Sequence, residues 1–312
     1  MTDPPRVDVG ISIASDNNRE GLARCLRSVP PAAGEVAYQI HVVLNASTDG
    51  SAEMLAADFP EVTTHINGQR RGFAHNHNLV LRGAVAAGRP PYTLVLNDDT
   101  ELGAGSLDRL VRAMAGQPRT GAMAPRVVGA DGAEAAVRLA RPTARSSWRY
   151  DWRGVGELAD PDDGWLQGCC LLLRTAALSA VGPFDEQFFL FYEDADLSRR
   201  LHEAGWALAV NPDACIVHVG HQTVLRPELA GFTPMQGLRS RYLYFAKHLG
   251  PRRSLLISWV GRALLVARAV KLLYRGSRAG AGDQWRQGRA KLRLAGYDPR
   301  RPLVLPPSPP RR

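Results

Sequence analysis

Short strand-like runs alternate with amphipathic stretches over the first 128 residues, and this alternation constrains the fold more than any other feature of the chain. Residues 7–14, 38–44, 62–66, 92–96 and 122–128 read as strands, and helices are expected near 20–28, 51–57, 74–87 and 106–115. Strands separated by helical crossovers predict an α/β fold whose mostly parallel sheet carries helices on both faces. Residues 129–163 are rich in Gly, Ala, Arg and Pro with weak periodicity and are expected to form an extended active-site loop. Strand character resumes at 165–173, and 214–219 reads as a last strand ending near His218.

Two acidic clusters interrupt this pattern. The apolar run YTLVL at 92–96 leads directly into Asn97, Asp98, Asp99 and Thr100. Ligands of open α/β sheets bind at the carboxyl ends of strands, so acids placed there suit a hard cation held against a phosphate. The same pair also suits the start of a turn. In the second cluster, FFLFYEDADLSRRLHEAGW at 188–206, Glu193, Asp194 and Asp196 crowd together. The spacing of Leu197, Leu201 and Ala204, with Gly205 as a stop, predicts a helix that starts at these acids. Its N-terminal dipole favours their charge, and an ionised carboxylate there can serve as a general base. A plain acidic helix start with an Asp196–Arg200 pair is the structural alternative.

Together the clusters resemble the metal-binding and catalytic-base motifs of the inverting glycosyltransferases of family 2. The resemblance covers most of the first 220 residues in six ordered blocks. These are residues 7–17 with the helix containing Arg24-Cys25-Leu26, HVVLNASTDGS at 41–51, RRGFAHNHN at 70–78, VLNDDTEL at 95–102, GWLQGCCLLLR at 164–174 and VGPFDEQFFLFYEDADLSRRL at 181–201. The subgroup it is most similar to contains bacterial rhamnosyltransferases and related enzymes of cell-wall, polysaccharide and glycolipid assembly. The resemblance implies a GT-A nucleotide-sugar-binding fold. It also implies transfer of a sugar, rhamnose or another hexose, from a nucleoside-diphosphate sugar to a hydroxyl of a lipid-linked, polysaccharide or glycolipid acceptor.

Residue by residue, the resemblance implies a divalent metal, Mg or Mn, on Asp99 with Asp98 and on His218 after the last strand. Asn97 stands where the family often has an acid, which shifts more of the role to its two neighbours. Asp194 matches the catalytic base, although spacing alone leaves Glu193 open. Ser15, Asn17, Asn45, Asp49, Arg71 and Asn78, with Asn97 and Asp98, fall at nucleotide-sugar positions. Trp165, Gln167 and Gly168 match the region lining the donor-sugar and acceptor sites, and Asp196 is expected to orient the acceptor or cap its helix. Trp165 stacking on a sugar and Trp165 filling core are both open. The family usually has an Asp at the position of Leu44, which cannot accept a ring N–H, so a uridine or thymidine donor rests on resemblance alone. Because Leu44 and Asn97 both depart from the pattern, a catalytically silent sugar-nucleotide-binding or scaffold protein is the rival reading. A glycosidase also pairs carboxylates but needs no diphosphate site.

Charge divides the chain. Residues 239–312 carry 18 Lys and Arg against 2 Asp and Glu, so a tail of +16 follows a region of −7. Residues 1–238 are therefore expected to form the catalytic domain, and 239–312 a basic helical extension with a Pro/Arg-rich end. Between 265 and 278, Arg268, Lys271, Arg275 and Arg278 share one helical face, and Leu265, Val266, Ala269, Leu272 and Leu273 share the other. Three basic residues within 254–274 argue against a spanning helix and favour an interfacial one on anionic lipid. An acidic catalytic region with no recognisable nucleic-acid motif argues against a nucleic-acid partner. Four cysteines without metal spacing and an N-terminus lacking a signal-peptide pattern lead us to expect a cytoplasmic protein, peripheral at the inner membrane face.

Overall fold

The computed structural model describes residues 6–153, 164–219, 231–279 and 282–303. The sheet begins with β1 (Val9–Ser15), β2 (Tyr38–Asn45), β3 (Thr63–Asn67) and β4 (Tyr92–Asn97), which lie parallel in the order β3-β2-β1-β4. The crossovers are α1 (Arg19–Ala33), α2 (Ser51–Asp58) and α3 (Phe73–Ala87). Ile11, Ile13, Val42, Leu94 and Leu96 are fully buried, as expected of parallel strands covered on both faces.

β5 (Thr100–Leu102), α4 (Ser106–Ala115) and β6 (Thr120–Gly129) follow, and the sheet then changes direction. β10 (Cys170–Arg174) inserts antiparallel between β4 and β6, and β11 (Ala207–His218) runs parallel to β6 and antiparallel to β5. The full order is β3-β2-β1-β4-β10-β6-β11-β5. Four parallel strand pairings against three antiparallel ones along this order give the mostly parallel α/β sheet expected.

Several local expectations are corrected. α1 continues through Pro30 and Pro31 to Ala33 because burial of Val29, Ala32 and Ala33 holds its last turn in place. The expected strand at 165–173 is two strands in two sheets. β9 (Gly164–Leu166) pairs with β8 (Arg138–Ala140), β10 joins the main sheet, and the chain breaks between them at Gln167–Cys169. β11 starts earlier than expected and contains an irregularity between Asn211 and Cys215. The stretch expected to be a loop holds β7 (Glu134–Ala135), β8 and the helix α5 (Ala144–Arg153). Partners far along the chain hold α5: Trp148 Nε1 donates to the Ile257 carbonyl at 3.0 Å, and Arg241 pairs with buried Asp151 at 2.9 Å.

α6 (Thr175–Val181) and α7 (Glu193–Glu203) precede β11, and α8 (Phe232–Leu249), α9 (Pro251–Ala279) and α10 (Gly282–Gly296) follow it. Position 238 falls inside α8. A second, smaller core of Phe188, Ala195, Tyr244, Phe245 and Ile257 joins the approach to α7 to α8 and α9. The described part of the basic tail is thus helical and packed on the catalytic half.

Candidate active site

A cavity of about 380 Å³ opens at the carboxyl ends of the strands. β1 supplies Ser15 and the following Asp16, β2 supplies Asn45, and the segment after β3 supplies Arg70 and Arg71. Asn97, Asp98 and Asp99 enter at the end of β4, and His218 at the end of β11. The break between β9 and β10 carries Gln167 and Gly168, with Trp165 beside them, and α7 presents Glu193 and Asp194. The two acidic clusters therefore line one cavity.

Asp99 and His218 meet because β11 and β5 pair antiparallel, with His218 opposite Thr100. The His218 Nε2 to Asp99 Oδ1 distance is 3.1 Å. Burial opposes the imidazolium, but the hydrogen bond to Asp99 and the adjacent Cys169 outweigh it and raise the His218 pKa to about 10. The imidazolium form is thereby favoured in the pair. Among the described residues no group of three His, Cys, Asp or Glu side chains is arranged for a metal. The oxygen–nitrogen pair of Asp99 and His218 fits a divalent cation that draws its remaining ligands from a diphosphate.

Asp194 is oriented by the backbone. Its Oδ2 accepts the Gly168 N–H at 3.0 Å and its Oδ1 accepts the Ala195 N–H at 2.8 Å. Burial and the neighbouring Asp194 charge hold the Glu193 carboxyl well above its usual range. The protonated form of Glu193 is thereby favoured beside Asp194. Phe191 and Tyr192, just before these acids, both have φ of 68°. Such backbone costs about 1–3 kcal/mol per residue for a side-chain-bearing residue, and here it turns the start of α7 into the cavity. The opposite wall approaches closely: Phe73 N–H donates to the Phe189 carbonyl at 2.8 Å, and a Cβ on Gly72 would collide with the Phe189 backbone.

Four expected site residues lie outside the cavity lining and hold backbone or helices instead. Asn17 accepts the Thr48 N–H at 2.7 Å. Asp49 accepts the Arg19 N–H at 2.8 Å and the Ser51 hydroxyl at 2.6 Å, which fixes the starts of α1 and α2. Asn78 clamps Phe184 through both its backbone N–H and its carbonyl. Asp196 is 0 % exposed and binds Arg200, Lys247 and His248. Those three partners occupy its carboxylate, and the contact with Arg200 is the pairing that the sequence offered as the structural alternative. Asp196 sits inside α7, whose cap position is Tyr192, so it is not the cap.

Asp16 and Arg70 were not singled out from the sequence. They form a buried ion pair in the cavity wall, Nε to Oδ2 2.7 Å. Leu44, opposite Ser15 in the sheet register, is buried and does not line the cavity. Asn45 holds the neighbouring Arg71 backbone at both N–H (2.7 Å) and carbonyl (3.0 Å). His77, also in the lining, is lowered to about 3 by burial and shares a 2.8 Å hydrogen bond with Ser12. Trp165 Nε1 donates to the Ala140 carbonyl at 3.1 Å, so its ring faces the cavity from a fixed position. Phe232 and Thr233 of α8 complete the wall. The sequence signal for Asp16 was its place beside Ser15 at a strand end. Nothing in local spacing indicates Phe232.

A mostly parallel sheet with antiparallel β10 inserted in it and a cavity at its carboxyl edge lined by both acidic clusters gives an α/β fold of the GT-A kind. The sequence profile described as Glycosyltransferase like family 2 matches residues 4–233. The chain belongs to that family, and its activity is glycosyl transfer. It is similar to N-acetylglucosaminyl-diphospho-decaprenol L-rhamnosyltransferase of two Mycobacterium tuberculosis strains, CDC 1551 / Oshkosh and ATCC 25618 / H37Rv. In each case identity is 32% over 255 residues, covering 72% of this chain and 80% of the relative. Among solved structures, the mannosyltransferase PcManGT from Pyrobaculum calidifontis, in complex with GDP-Man and Mn2+, shares the fold. Its TM-score is 0.53 at 17% identity, with 94% of this chain and 86% of that one covered. S. aureus TarS 1-349 has a TM-score of 0.52 at 13% identity, covering 93% and 81% of the two chains.

Proposed function

We propose that this glycosyltransferase inverts the anomeric centre and moves a hexose, with rhamnose the leading candidate, from a nucleoside-diphosphate sugar to a hydroxyl of a lipid-linked acceptor. The observation that carries this reading is the convergence of Asp194 and the Asp99–His218 pair on one cavity from separate elements. Asp99 and His218, with Asp98 beside them, would hold Mg or Mn, which would supply positive charge against a diphosphate leaving group. Metal loading requires His218 to lose its proton. Ser15, Asn45, Arg71 and the Asp16–Arg70 pair bind the nucleotide.

Asp194 acts as the base. Its carboxylate, held by the Gly168 and Ala195 N–H groups, accepts the proton of the acceptor hydroxyl as that oxygen attacks from the face opposite the diphosphate. Glu193, whose carboxyl is pushed up by burial and by Asp194, is assigned a supporting role beside the base. Trp165 and Gln167 position the sugars through ring stacking and a directional hydrogen bond.

A lipid-linked acceptor is supported by the rhamnosyltransferase relatives, whose name specifies a diphospho-decaprenol substrate. The basic helices that follow the catalytic region support work at an anionic membrane surface. No helix among the described residues is long and apolar enough to cross a membrane. We therefore take the catalytic unit to be residues 1–238 and assign 239–312 to peripheral attachment at the cytoplasmic face. Asp194→Asn tests the central claim. Turnover should fall about 100-fold or more while donor affinity stays within about threefold. Unchanged turnover would refute the assignment, and NMR of the product anomer reads inversion directly.

A further inference from the structure

α9 has two apolar sides. Ile257, Leu265 and Ala269 are buried, and the helix packs against α5, α8 and α10. The side expected from sequence to meet lipid is thus partly internal, because Leu265 and Ala269 point into the fold. A second row, Leu256, Trp259, Val266, Val270 and Tyr274, faces outward. Leu256 is 63% exposed, Trp259 66%, Val270 58% and Tyr274 57%.

These residues follow the three-and-four spacing of a single helical stripe, with Ala263 exposed in the same row. At 1.5 Å per residue the stripe is about 27 Å long. Exposed Arg252, Arg253, Lys271 and Arg275 flank it, and α9 contains no Asp or Glu. Lys271 sits over the ring of Trp152 on α5, 5.4 Å from its centre, and Trp152 is itself exposed. Arg262 of the same helix lies 5.6 Å from the centre of the Trp259 ring and adds a further basic group beside the row.

We propose that this outward stripe of α9, with Trp152 on its flank, is a docking surface for an anionic lipid bilayer, with the helix lying in the plane of the interface. The apolar row is suited to enter the headgroup boundary while the basic flanks meet lipid phosphates. The charge pattern argues against a second copy as occupant. Antiparallel pairing of two stripes would bring Arg252 and Arg253 of one copy toward Arg275 of the other, a like-charge contact without a carboxylate on either helix. Because α5 and α9 share the surface, docking would fix the catalytic half against the bilayer and not only the tail.

The inference rests on the membrane-proximal reading above and names the face that serves it. Full-length protein is sedimented with phosphatidylcholine vesicles with and without phosphatidylglycerol. Wild type should bind the anionic vesicles and lose binding as salt rises. The double variant Trp259→Glu with Val270→Glu should bind about 30-fold more weakly, with nucleotide-induced thermal protection and oligomeric state unchanged. Arg252→Ser with Arg253→Ser should cost about 10-fold or more. Brominated lipid should quench wild-type tryptophan fluorescence more than that of Trp259→Phe. Absence of wild-type vesicle binding would overturn the membrane reading as a whole. Wild-type binding undiminished in the stripe variant would overturn only the face assigned here. A wild-type dimer that the stripe variant dissolves would replace lipid by a second copy.

Discussion

Asp196→Asn separates a structural carboxylate from a substrate-binding one. In the fold, Asp196 is fully buried and accepts from Arg200 Nε at 2.8 Å, Lys247 Nζ at 2.8 Å and His248 Nε2 at 2.9 Å. Removing one charge from a buried pair costs about 3–5 kcal/mol. Arg200 keeps the carbonyls of Val181, Gly182 and Pro183, and Lys247 keeps Asp185 at 2.7 Å, so the loss should lie near the lower end. Burial by itself would raise the Asp196 pKa, but the hydrogen bond from His248 and the charges of Arg200 and Lys247 lower it from 3.8 to about 2. That shift corresponds to about 2 kcal/mol, the same order as the cost of breaking the pair. For a chain of this size about 3 kcal/mol lowers the melting temperature by about 5 °C. The sign with pH is fixed. A depressed carboxyl pKa stabilises fully above the unfolded value near 3.8 and ceases to do so as pH falls toward 2. The gap between wild type and variant should therefore close across that window. Thermal unfolding at pH 7, 4 and 2.5 reads this directly, alongside acceptor KM. An unchanged melting temperature with a raised acceptor KM would refute the reasoning and return Asp196 to the substrate.

Asp99→Ala should abolish metal-dependent protection by nucleoside diphosphates in thermal unfolding without altering the metal-free melting temperature by more than about 3 °C; full activity in chelator would refute the metal assignment. Apolar Leu44 supplies no acceptor for base recognition, so competition by uridine, thymidine, guanosine and adenosine diphosphates should span less than about 1000-fold, and Asp16→Asn should change their order. A wider spread that survives Asp16→Asn would place base reading elsewhere. Replacing Phe191 by Gly should change stability by no more than about 2 kcal/mol in urea unfolding, because relief of backbone strain offsets the lost side-chain packing, while turnover falls as the start of α7 loosens.

The parallel half of the sheet was legible because its strands are continuous apolar runs whose ends carry the polar residues of the site. Ser15, Asn45, Asn97 and Asp99 needed only that register to fall together. α5 was not legible, since the groups that hold it, Ile257 and Arg241, belong to the tail, and a helix gripped by distant partners shows little periodicity of its own. The surroundings of Asp196 were not legible for a similar reason: two of its three partners, Lys247 and His248, lie about fifty residues downstream. Spacing placed it among the acids of the helix start, but only the fold shows that it points away from the cavity. For α9 the sequence pattern identified an amphipathic helix but could not show which of two apolar sides the catalytic half would occupy.

The insertion of β10 between β4 and β6 carries a consequence for folding. β1 to β4 pair through local βα crossovers, but the outer edge of β4 finds its partner only after the chain has continued through α4, β6 and α5 to Cys170. Long loop closure of this kind is slow, and until it happens the apolar YTLVL edge presents unpaired N–H and C=O groups. On the ribosome, the residues that later line this side of the cavity form one half of an incomplete sheet, open to pairing with other chains. Fragments ending before Arg174 should therefore aggregate even though they contain four correctly ordered strands, and solubility should return only when the chain extends through β10.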